Sequence, residues 1–214
     1  MRRCVMFLPG VNPGNIQDAD VFGADGLVFD LEDAVALTEK DAGRILTRNA
    51  LEANDFPETE TIVRINDLSS PFWRQDLEAI VPAGPDTLML PKVNTAQDVK
   101  TLSANVADLE KASGLKVGGI NFICLMETCE GIENANEIAR SDPRVDTLYL
   151  GAGDLALNMK AIRTHEALEI LYARSKVIYA ARAAGIYAMD TPYIENIRDL
   201  EALRAECLMA KKMG

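Results

Sequence analysis

The sequence predicts an α/β protein in which seven short apolar runs alternate with longer amphipathic segments. None of the runs exceeds seven residues, which is short for a helix, and most are continuous rather than alternating. Strands buried on both faces of a parallel sheet have this pattern. The runs cover residues 5–9, 26–30, 61–66, 87–91, 121–127, 147–151 and 186–190. Strand–helix units in series favour a parallel sheet, either doubly wound or closed as a barrel.

The first strand–helix junction favours the barrel. Pro9-Gly10-Val11-Asn12-Pro13-Gly14 follows the first strand where a dinucleotide-binding fold would carry Gly-x-Gly-x-x-Gly. Polar residues collect at the carboxyl ends of the predicted strands, where barrels hold their active sites. We therefore expect one barrel domain over residues 1–214, of which seven strand–helix units are visible. Seven strands alone leave an open edge, which favours self-association.

Two features of the segments between the runs predict where helices begin and end. The spacing of a capping box, with Asp in place of Glu, occurs at Thr38 with Asp41 and at Thr95 with Asp98. Residues 166–184 form the longest helix candidate, and Gly185 is placed to end it.

Composition excludes several classes of function. The 214 residues are 48% hydrophobic and carry a net charge of −11, which argues against binding nucleic acid or an anionic membrane surface. No apolar stretch approaches the roughly 18 residues of a membrane-spanning helix. The four cysteines show no Cys-x-x-Cys spacing, so we expect reduced thiols and a cytoplasmic protein.

The stretch Phe29-Asp30-Leu31-Glu32-Asp33 is the most informative of the strand ends. An apolar strand runs directly into three carboxylates within four positions. Their mutual repulsion requires a nearby cation, an arginine or shared protons.

Polar residues at the ends of the later strands supply candidate partners. These are Arg64 and Asn66, Lys92, Glu127, Asp154 and Asp190. The single histidine, His165, lies in a polar segment, which disfavours Ser-His or Cys-His catalysis and a zinc site. Carboxylates without imidazole suit Mg²⁺, which typically takes one or two carboxylates plus substrate and water. We therefore expect Glu127 and Asp154 to be Mg²⁺ ligands, with Gly151 and Gly153 allowing the backbone to pack closely around Asp154.

Arg64 is the candidate for binding the substrate. Its planar guanidinium suits bidentate recognition of a carboxylate. A metal and an arginine around one anion indicate a 2-keto acid or its aldol adduct, whose oxygen Mg²⁺ would polarise during cleavage or formation of a C–C bond.

The ordered motifs resemble those of the citrate lyase β subunit and the related malyl-CoA and citramalyl-CoA lyases of the HpcH/HpaI aldolase superfamily. The resemblance covers essentially the whole chain. It rests on these stretches: Phe7-Leu8-Pro9-Gly10, Phe29-Asp30-Leu31-Glu32-Asp33-Ala34-Val35, Val63-Arg64-Ile65-Asn66, Leu90-Pro91-Lys92, Gly151-Ala152-Gly153-Asp154-Leu155 and Asp190-Thr191-Pro192-Tyr193.

The resemblance implies a TIM-type (β/α)8 barrel with Mg²⁺ at Glu127 and Asp154 and with Arg64 on the keto-acid portion of the substrate. Because such barrels typically have about 250 residues, it also implies that the eighth strand and the C-terminal segment are missing here through truncation. It implies that Glu32 and Asp33 orient metal-bound water or Arg64, so the expected catalytic residues are Arg64, Glu32 and Asp33. Substrate binding is expected at Arg64, Asp30, Lys92, Gly153 and Asp190. At position 153, relatives often carry Ala or Glu instead of the Gly found here.

The resemblance also implies the substrates and the assembly. An acyl-CoA or acyl-carrier thioester would be cleaved to an acetyl enolate and a 2-keto acid such as oxaloacetate, pyruvate or glyoxylate. The assembly would be a homo-oligomer, such as a trimer, or a multi-subunit lyase complex. Two alternatives stay open: a stand-alone malyl- or citramalyl-CoA lyase or thioesterase, and a non-catalytic subunit that binds a carboxylate or a thioester.

Overall fold

The computed structural model describes the chain except for Met1, Asp55, Ile194, Glu195 and Ile197. Its strands follow the predicted runs closely. They are β1 (Val5–Pro9), β2 (Gly26–Asp30), β3 (Glu60–Arg64), β4 (Thr87–Leu90), β5 (Asn121–Met126), β6 (Val145–Leu150) and β7 (Tyr187–Met189). The first two coincide with the predicted runs, and each of the others overlaps its run.

The described strands form an all-parallel seven-stranded sheet in which spatial order equals chain order, β1-β2-β3-β4-β5-β6-β7. In register, Asp30 at the end of β2 lies beside Arg64 at the end of β3. On the other side of β2, Pro9 of β1 is the partner of Asp30. Parallel neighbours bring their carboxyl ends to the same edge of the sheet, so residues more than thirty positions apart become adjacent there.

Helices connect the strands, as parallel pairing requires. They are α1 (Pro13–Gln17), α2 (Lys40–Ala53), α3 (Trp73–Ile80), α4 (Ala96–Ala112), α5 (Cys129–Glu133), α6 (Ala135–Ile138), α7 (Ala152–Met159), α8 (Leu171–Ala184) and α9 (Leu200–Met213). Short 3₁₀ turns precede α2 and α8. No helix in the described part of the chain is long and apolar enough to cross a membrane.

The helix-end predictions have mixed outcomes. The capping box at Thr95 is confirmed: the Thr95 amide donates to Asp98 at 2.8 Å, and the Asp98 amide donates to Thr95 Oγ1 at 3.3 Å. The box predicted at Thr38 is wrong, because residues 37–39 form a 3₁₀ turn and α2 begins at Lys40 with no side-chain cap. The helix predicted from residue 166 begins at Leu171, and Gly185 ends it in the left-handed region at φ 76°.

Contacts divide the chain into two compact units. The first comprises Met1–Pro91 and Lys100–Ile123, and the second comprises Lys92–Val99 and Cys124–Gly214. In the first unit β2 is buried along its whole length, and Leu27, Val28 and Phe29 have no exposed surface. In the second unit the buried faces of β6 and α8 supply the core, including Leu148 and Val177. A single domain over residues 1–214 stays a prediction.

Candidate active site

Two clusters of charged side chains lie at carboxyl ends of strands, one in each unit. We call them the Arg64 cluster (Asp30, Glu32, Asp33 and Arg64) and the Glu127 cluster (Lys92, Glu127, Gly151 and Asp154).

In the Arg64 cluster, one arginine offsets the mutual repulsion of three neighbouring carboxylates. Arg64 Nε donates to Asp30 Oδ1 at 2.7 Å, and its Nη2 donates to Asp30 Oδ2. Its Nη1 lies 2.8 Å from Glu32 Oε2 and 3.8 Å from Asp33 Oδ2. One guanidinium thus faces all three acids.

Electrostatics keeps this arginine charged. Burial opposes the charged form, but the hydrogen bonds from Arg64 to Asp30 and the charges of Asp30, Glu32 and Asp33 outweigh it and raise the pKa of Arg64 above its ordinary value. The Phe7 ring adds a cation–π contact, its centroid 5.5 Å from Arg64 Cζ.

The three acids differ in their surroundings. Asp30 is 2% exposed and also accepts from the amides of Glu32 at 2.9 Å and Ala34 at 3.1 Å. Its carboxylate therefore holds both the turn after β2 and the arginine. Glu32 is buried, whereas the Asp33 side chain is 58% exposed. Of the three, Asp33 is the acid most accessible to a substrate.

A buried lysine that sequence reasoning missed supports the turn. Lys40, at the start of α2, is 5% exposed, and its Nζ donates to the carbonyls of Leu31 at 2.7 Å and Glu32 at 2.6 Å. Burial lowers the pKa of Lys40, against the opposing charges of Asp76 and the three acids. A lysine near a helix start is usually solvated, so the sequence carried no signal for this contact.

A second support comes from Asn66, just after β3. Its side-chain amide donates to Leu31 O at 3.0 Å and to Asp76 Oδ2 at 2.7 Å. Asp76, on α3, is fully buried, also accepts from the Asn66 backbone amide, and pairs with Arg44 of α2 at 3.2 Å. Through the Asn66 contact with Leu31 O, this network holds the turn that carries Glu32. Sequence reasoning placed Asn66 at the strand end but missed Asp76 and Arg44.

In the second unit, the Glu127 cluster is built around a buried carboxylate. Glu127 follows β5 and is 3% exposed. Its Oε1 accepts the backbone amide of Lys92 at 2.8 Å. Lys92 Nζ lies 3.5 Å from Asp154 Oδ2 on α7. Lys92 thus contacts both expected metal ligands, one through its backbone and one through its ammonium group.

The backbone at Lys92 is unusual. Its φ is 51°, in the left-handed region that residues other than Gly enter at a cost. The strained conformation accompanies the amide contact with Glu127.

The two glycines near Asp154 behave differently. A Cβ on Gly151 would lie 2.5 Å from Glu127 Oε2 and 2.7 Å from Glu127 Cβ, closer than side chains pack. A Cβ on Gly153 would meet nothing within 4 Å. Only Gly151 is needed for close packing, and the residue it accommodates is Glu127.

Asp190 lies after β7 and is paired with a buried arginine that sequence reasoning missed. Arg174, on α8, is 3% exposed, and its Nε donates to Asp190 Oδ1 at 2.9 Å. Its Nη2 lies 3.8 Å from Glu206 Oε1 on α9. Arginine in an amphipathic helix normally faces solvent, so the sequence did not reveal the pairing. His165 is exposed, as its polar segment indicated.

The Glu127 cluster fits a magnesium ion. Glu127 and Asp154 offer oxygen atoms only, the ligand type that Mg²⁺ prefers, and two carboxylates are the usual protein share of such a site. Among the described residues no group of three or more His, Cys, Asp or Glu side chains is arranged to hold a metal.

The chain is similar to proteins of known name over its full length. The citrate lyase subunit beta of Leuconostoc mesenteroides subsp. cremoris is 42% identical over 214 residues, which are 100% of this chain and 70% of that protein. A (3S)-malyl-CoA thioesterase of Cereibacter sphaeroides is 35% identical over 212 residues, covering 99% of this chain and 70% of the relative.

A solved structure and a family profile agree with these relatives. The citrate lyase beta subunit of M. tuberculosis, complexed with oxaloacetate and magnesium, superposes with a TM-score of 0.81 at 30% identity, covering 98% of this chain and 86% of that one. The profile of the family described as HpcH/HpaI aldolase/citrate lyase matches residues 3–214. The chain belongs to the HpcH/HpaI aldolase/citrate lyase family.

Proposed function

We propose that this protein is a Mg²⁺-dependent carbon–carbon lyase that cleaves a 3-hydroxyacyl thioester of the citryl-CoA or citryl-carrier type. The products are an acetyl thioester and a 2-keto acid such as oxaloacetate. Family membership and the likeness to citrate lyase beta subunits support the reaction class. The observation that carries the proposal is the buried carboxylate of Glu127, whose Oε1 accepts a hydrogen bond from the Lys92 backbone amide. The ammonium group of the same lysine lies 3.5 Å from Asp154 Oδ2.

The reaction is a retro-aldol cleavage. A base takes the proton of the 3-hydroxyl group, and the oxygen forms the keto group as the adjacent C–C bond breaks. The bonding pair passes to the α-carbon of the thioester as an enolate, which is then protonated to the acetyl thioester. A Mg²⁺ ion held at Glu127 and Asp154 would supply charge stabilisation to the oxygen that becomes the ketone.

The Arg64 cluster binds and orients the anionic part of the substrate in this proposal. Arg64 donates to Asp30 through Nε and Nη2, and in this proposal its planar guanidinium also meets a substrate carboxylate. Asp30 acts by holding the guanidinium in a fixed plane, because both its oxygens accept from Arg64. Glu32 and Asp33 keep the arginine charged, and Asp33 is open enough to meet the substrate.

The remaining substrate-binding residues stay predictions. Lys92 is the best supported, since its ammonium group is partly exposed beside Asp154. Asp190 Oδ1 is engaged by Arg174, so any contact with substrate would involve its other oxygen. Gly153, with open space where a side chain would be, offers room rather than a binding group.

Metal binding and turnover test the proposal together. Calorimetric titration of the purified protein with Mg²⁺, and with Mn²⁺ as a spectroscopic substitute, should show one site that Glu127→Gln and Asp154→Asn each weaken at least tenfold. Citryl-CoA should give oxaloacetate, detected by its reduction with malate dehydrogenase, only when the metal is present. Glu133→Gln is a matched control, because Glu133 is an exposed acid of the same unit that pairs with Lys176.

If the protein binds the metal but releases no 2-keto acid from any 3-hydroxyacyl thioester tried, the lyase assignment is refuted. Ligand binding independent of Mg²⁺ would instead favour the non-catalytic alternative.

A second candidate function is thioester hydrolysis, which the 35% identity to a (3S)-malyl-CoA thioesterase supports. The two reactions leave different products. Hydrolysis of malyl-CoA releases a free thiol and malate, whereas cleavage leaves the thioester intact and releases glyoxylate. Measuring thiol and keto acid in the same sample separates them.

Three further expectations from the sequence, on the fold, the assembly and the location, are also proposals. We propose that the sheet belongs to an eight-unit (β/α)8 barrel, that the protein assembles as a homo-oligomer or within a multi-subunit lyase, and that it is cytoplasmic. Likeness to citrate lyase beta subunits supports the barrel and the assembly, and four cysteines without Cys-x-x-Cys spacing support the location. Sedimentation of the purified protein, with and without the other lyase subunits, tests the assembly.

A further inference from the structure

Helix α7, which carries Asp154, is capped by a residue of the segment that follows β7. The backbone amide of Ala152, the first residue of α7, donates to Thr191 Oγ1 at 3.2 Å. The residue before the helix, Gly151, has no side chain and makes no capping hydrogen bond of its own. Ala152 is 1% exposed, so its amide has little access to bulk solvent.

The position of Thr191 follows from the sheet. Tyr149 of β6 is the register partner of Met189 of β7. Two residues further along each chain stand Gly151 and Thr191, so parallel pairing brings the start of α7 beside the end of β7.

A partly buried ion pair holds Thr191 in turn. Asp190 Oδ1 accepts both the Thr191 backbone amide, at 2.9 Å, and Arg174 Nε, also at 2.9 Å. Arg174 is 3% exposed and anchored in α8. One carboxylate oxygen thus ties the backbone of residue 191 to a helix of the core.

These contacts form a continuous path to Asp154. Asp154 is the third residue of α7, and the first helical hydrogen bond, from Leu155 N to Gly151 O at 3.1 Å, closes around it. The first turn of the helix, which Thr191 caps, therefore sets the position of the Asp154 backbone and the direction of its Cα–Cβ bond.

We propose that Thr191 is a positioning residue for the metal site, held in place by the Arg174–Asp190 pair, and that its hydroxyl oxygen aims Asp154 by capping α7. The inference rests on the proposed function in one respect, that Asp154 is a metal ligand. Residues that orient ligands from outside the coordination shell typically change metal affinity by about 10- to 100-fold when altered.

The test is Mn²⁺ affinity, measured by electron paramagnetic resonance, in three variants. Thr191→Val removes the acceptor while keeping the side-chain shape, and we expect it to weaken binding at least tenfold. Thr191→Ser keeps the acceptor and should bind like the parent protein. If Thr191→Val does not fold, Thr191→Ala gives the same readout.

Asp199→Ala is the matched control. Asp199 caps α9 through the Ala202 amide at 3.0 Å, in the same unit. A variant that merely loses a helix cap should lose thermal stability without losing Mn²⁺ affinity. Rescue by serine together with unchanged affinity in Asp199→Ala would support positioning.

The outcomes separate this inference from the proposed function. A parent protein that binds no Mn²⁺ contradicts the proposed metal site and with it the inference. If the parent protein binds Mn²⁺ and Thr191→Val and Thr191→Ala bind it equally tightly, the proposed metal site stands and the role of Thr191 is overturned.

Discussion

Replacing Gly151 by Ala should damage the metal site through Glu127. Carbon atoms pack at about 3.5 Å or more, so the 2.7 Å separation between the new Cβ and Glu127 Cβ falls short by about 0.8 Å. Rotating the Glu127 side chain cannot relieve this contact, because Cβ is fixed to the backbone of Glu127, the residue that follows β5. The backbone at residue 127 or 151 must therefore move.

The movement has two measurable consequences. Overpacking of this kind costs about 1–3 kcal/mol of unfolding free energy, which denaturant titration measures. A misplacement near 1 Å can cost about 100-fold in function, so we expect Mg²⁺ affinity, measured by calorimetry, to fall by at least tenfold.

Gly153→Ala is the matched control, two residues later in the chain and within α7. Its Cβ meets nothing within 4 Å, and alanine in place of glycine should stabilise α7 by up to about 1 kcal/mol. Metal affinity, rather than turnover, is the quantity to compare. Equal metal affinity in Gly151→Ala and the parent protein, or equal losses in the two alanine variants, would refute the reasoning.

Three further predictions concern the first unit. Arg64→Lys should lower stability by about 2 kcal/mol in denaturant titration, because one ammonium cannot replace the paired donors to the buried Asp30 carboxylate; unchanged stability would show that the fork is dispensable. Lys40→Met should cost about 1–3 kcal/mol, since the carbonyls of Leu31 and Glu32 lose a buried donor; a more stable variant would contradict this. Hydrogen bonds from the Arg3 side chain and from two backbone amides lower the pKa of Asp25 to about 2. The ionised Asp25 therefore contributes stability that is fully present above its unfolded pKa, near 3.9, and is lost as the pH falls towards 2. Allowing for solvent screening, the loss is about 1 kcal/mol, and acid titrations of the parent protein and Asp25→Asn should differ by that amount in this pH window, whereas parallel curves would exclude the contribution.

The strands were predictable because their signal is local. Continuous apolar runs bounded by polar residues identify strands buried on both faces, and all seven runs correspond to strands. Helix starts were less predictable. Thr95 and Asp98 cap α4 reciprocally, but Thr38 and Asp41, with the same spacing, do not. A cap depends on the entry angle of the chain, and near residue 38 a 3₁₀ turn takes the place of the cap.

The candidate site residues were predictable by type but not by contact. Asp30, Glu32 and Asp33 had to find a cation because like charges repel, and Arg64 at the next strand end was a natural partner. The sequence could not show that both Asp30 oxygens are committed to Arg64, or that Lys40 and Asp76 are buried beneath the turn. Burial of a charged side chain depends on which distant groups compensate it, and those groups come from other helices.

The sequence by itself determined the α/β class, the polar residues that follow the second to seventh strands, and the oxygen-rich chemistry that suits Mg²⁺. Only the tertiary structure decided how these residues are held. It revealed that Gly151 makes room for Glu127, that Lys92 enters the left-handed region to contact it, and that Thr191 caps the helix of Asp154. Each of these depends on close approach between segments far apart in the chain, which local patterns of hydrophobicity and charge do not encode.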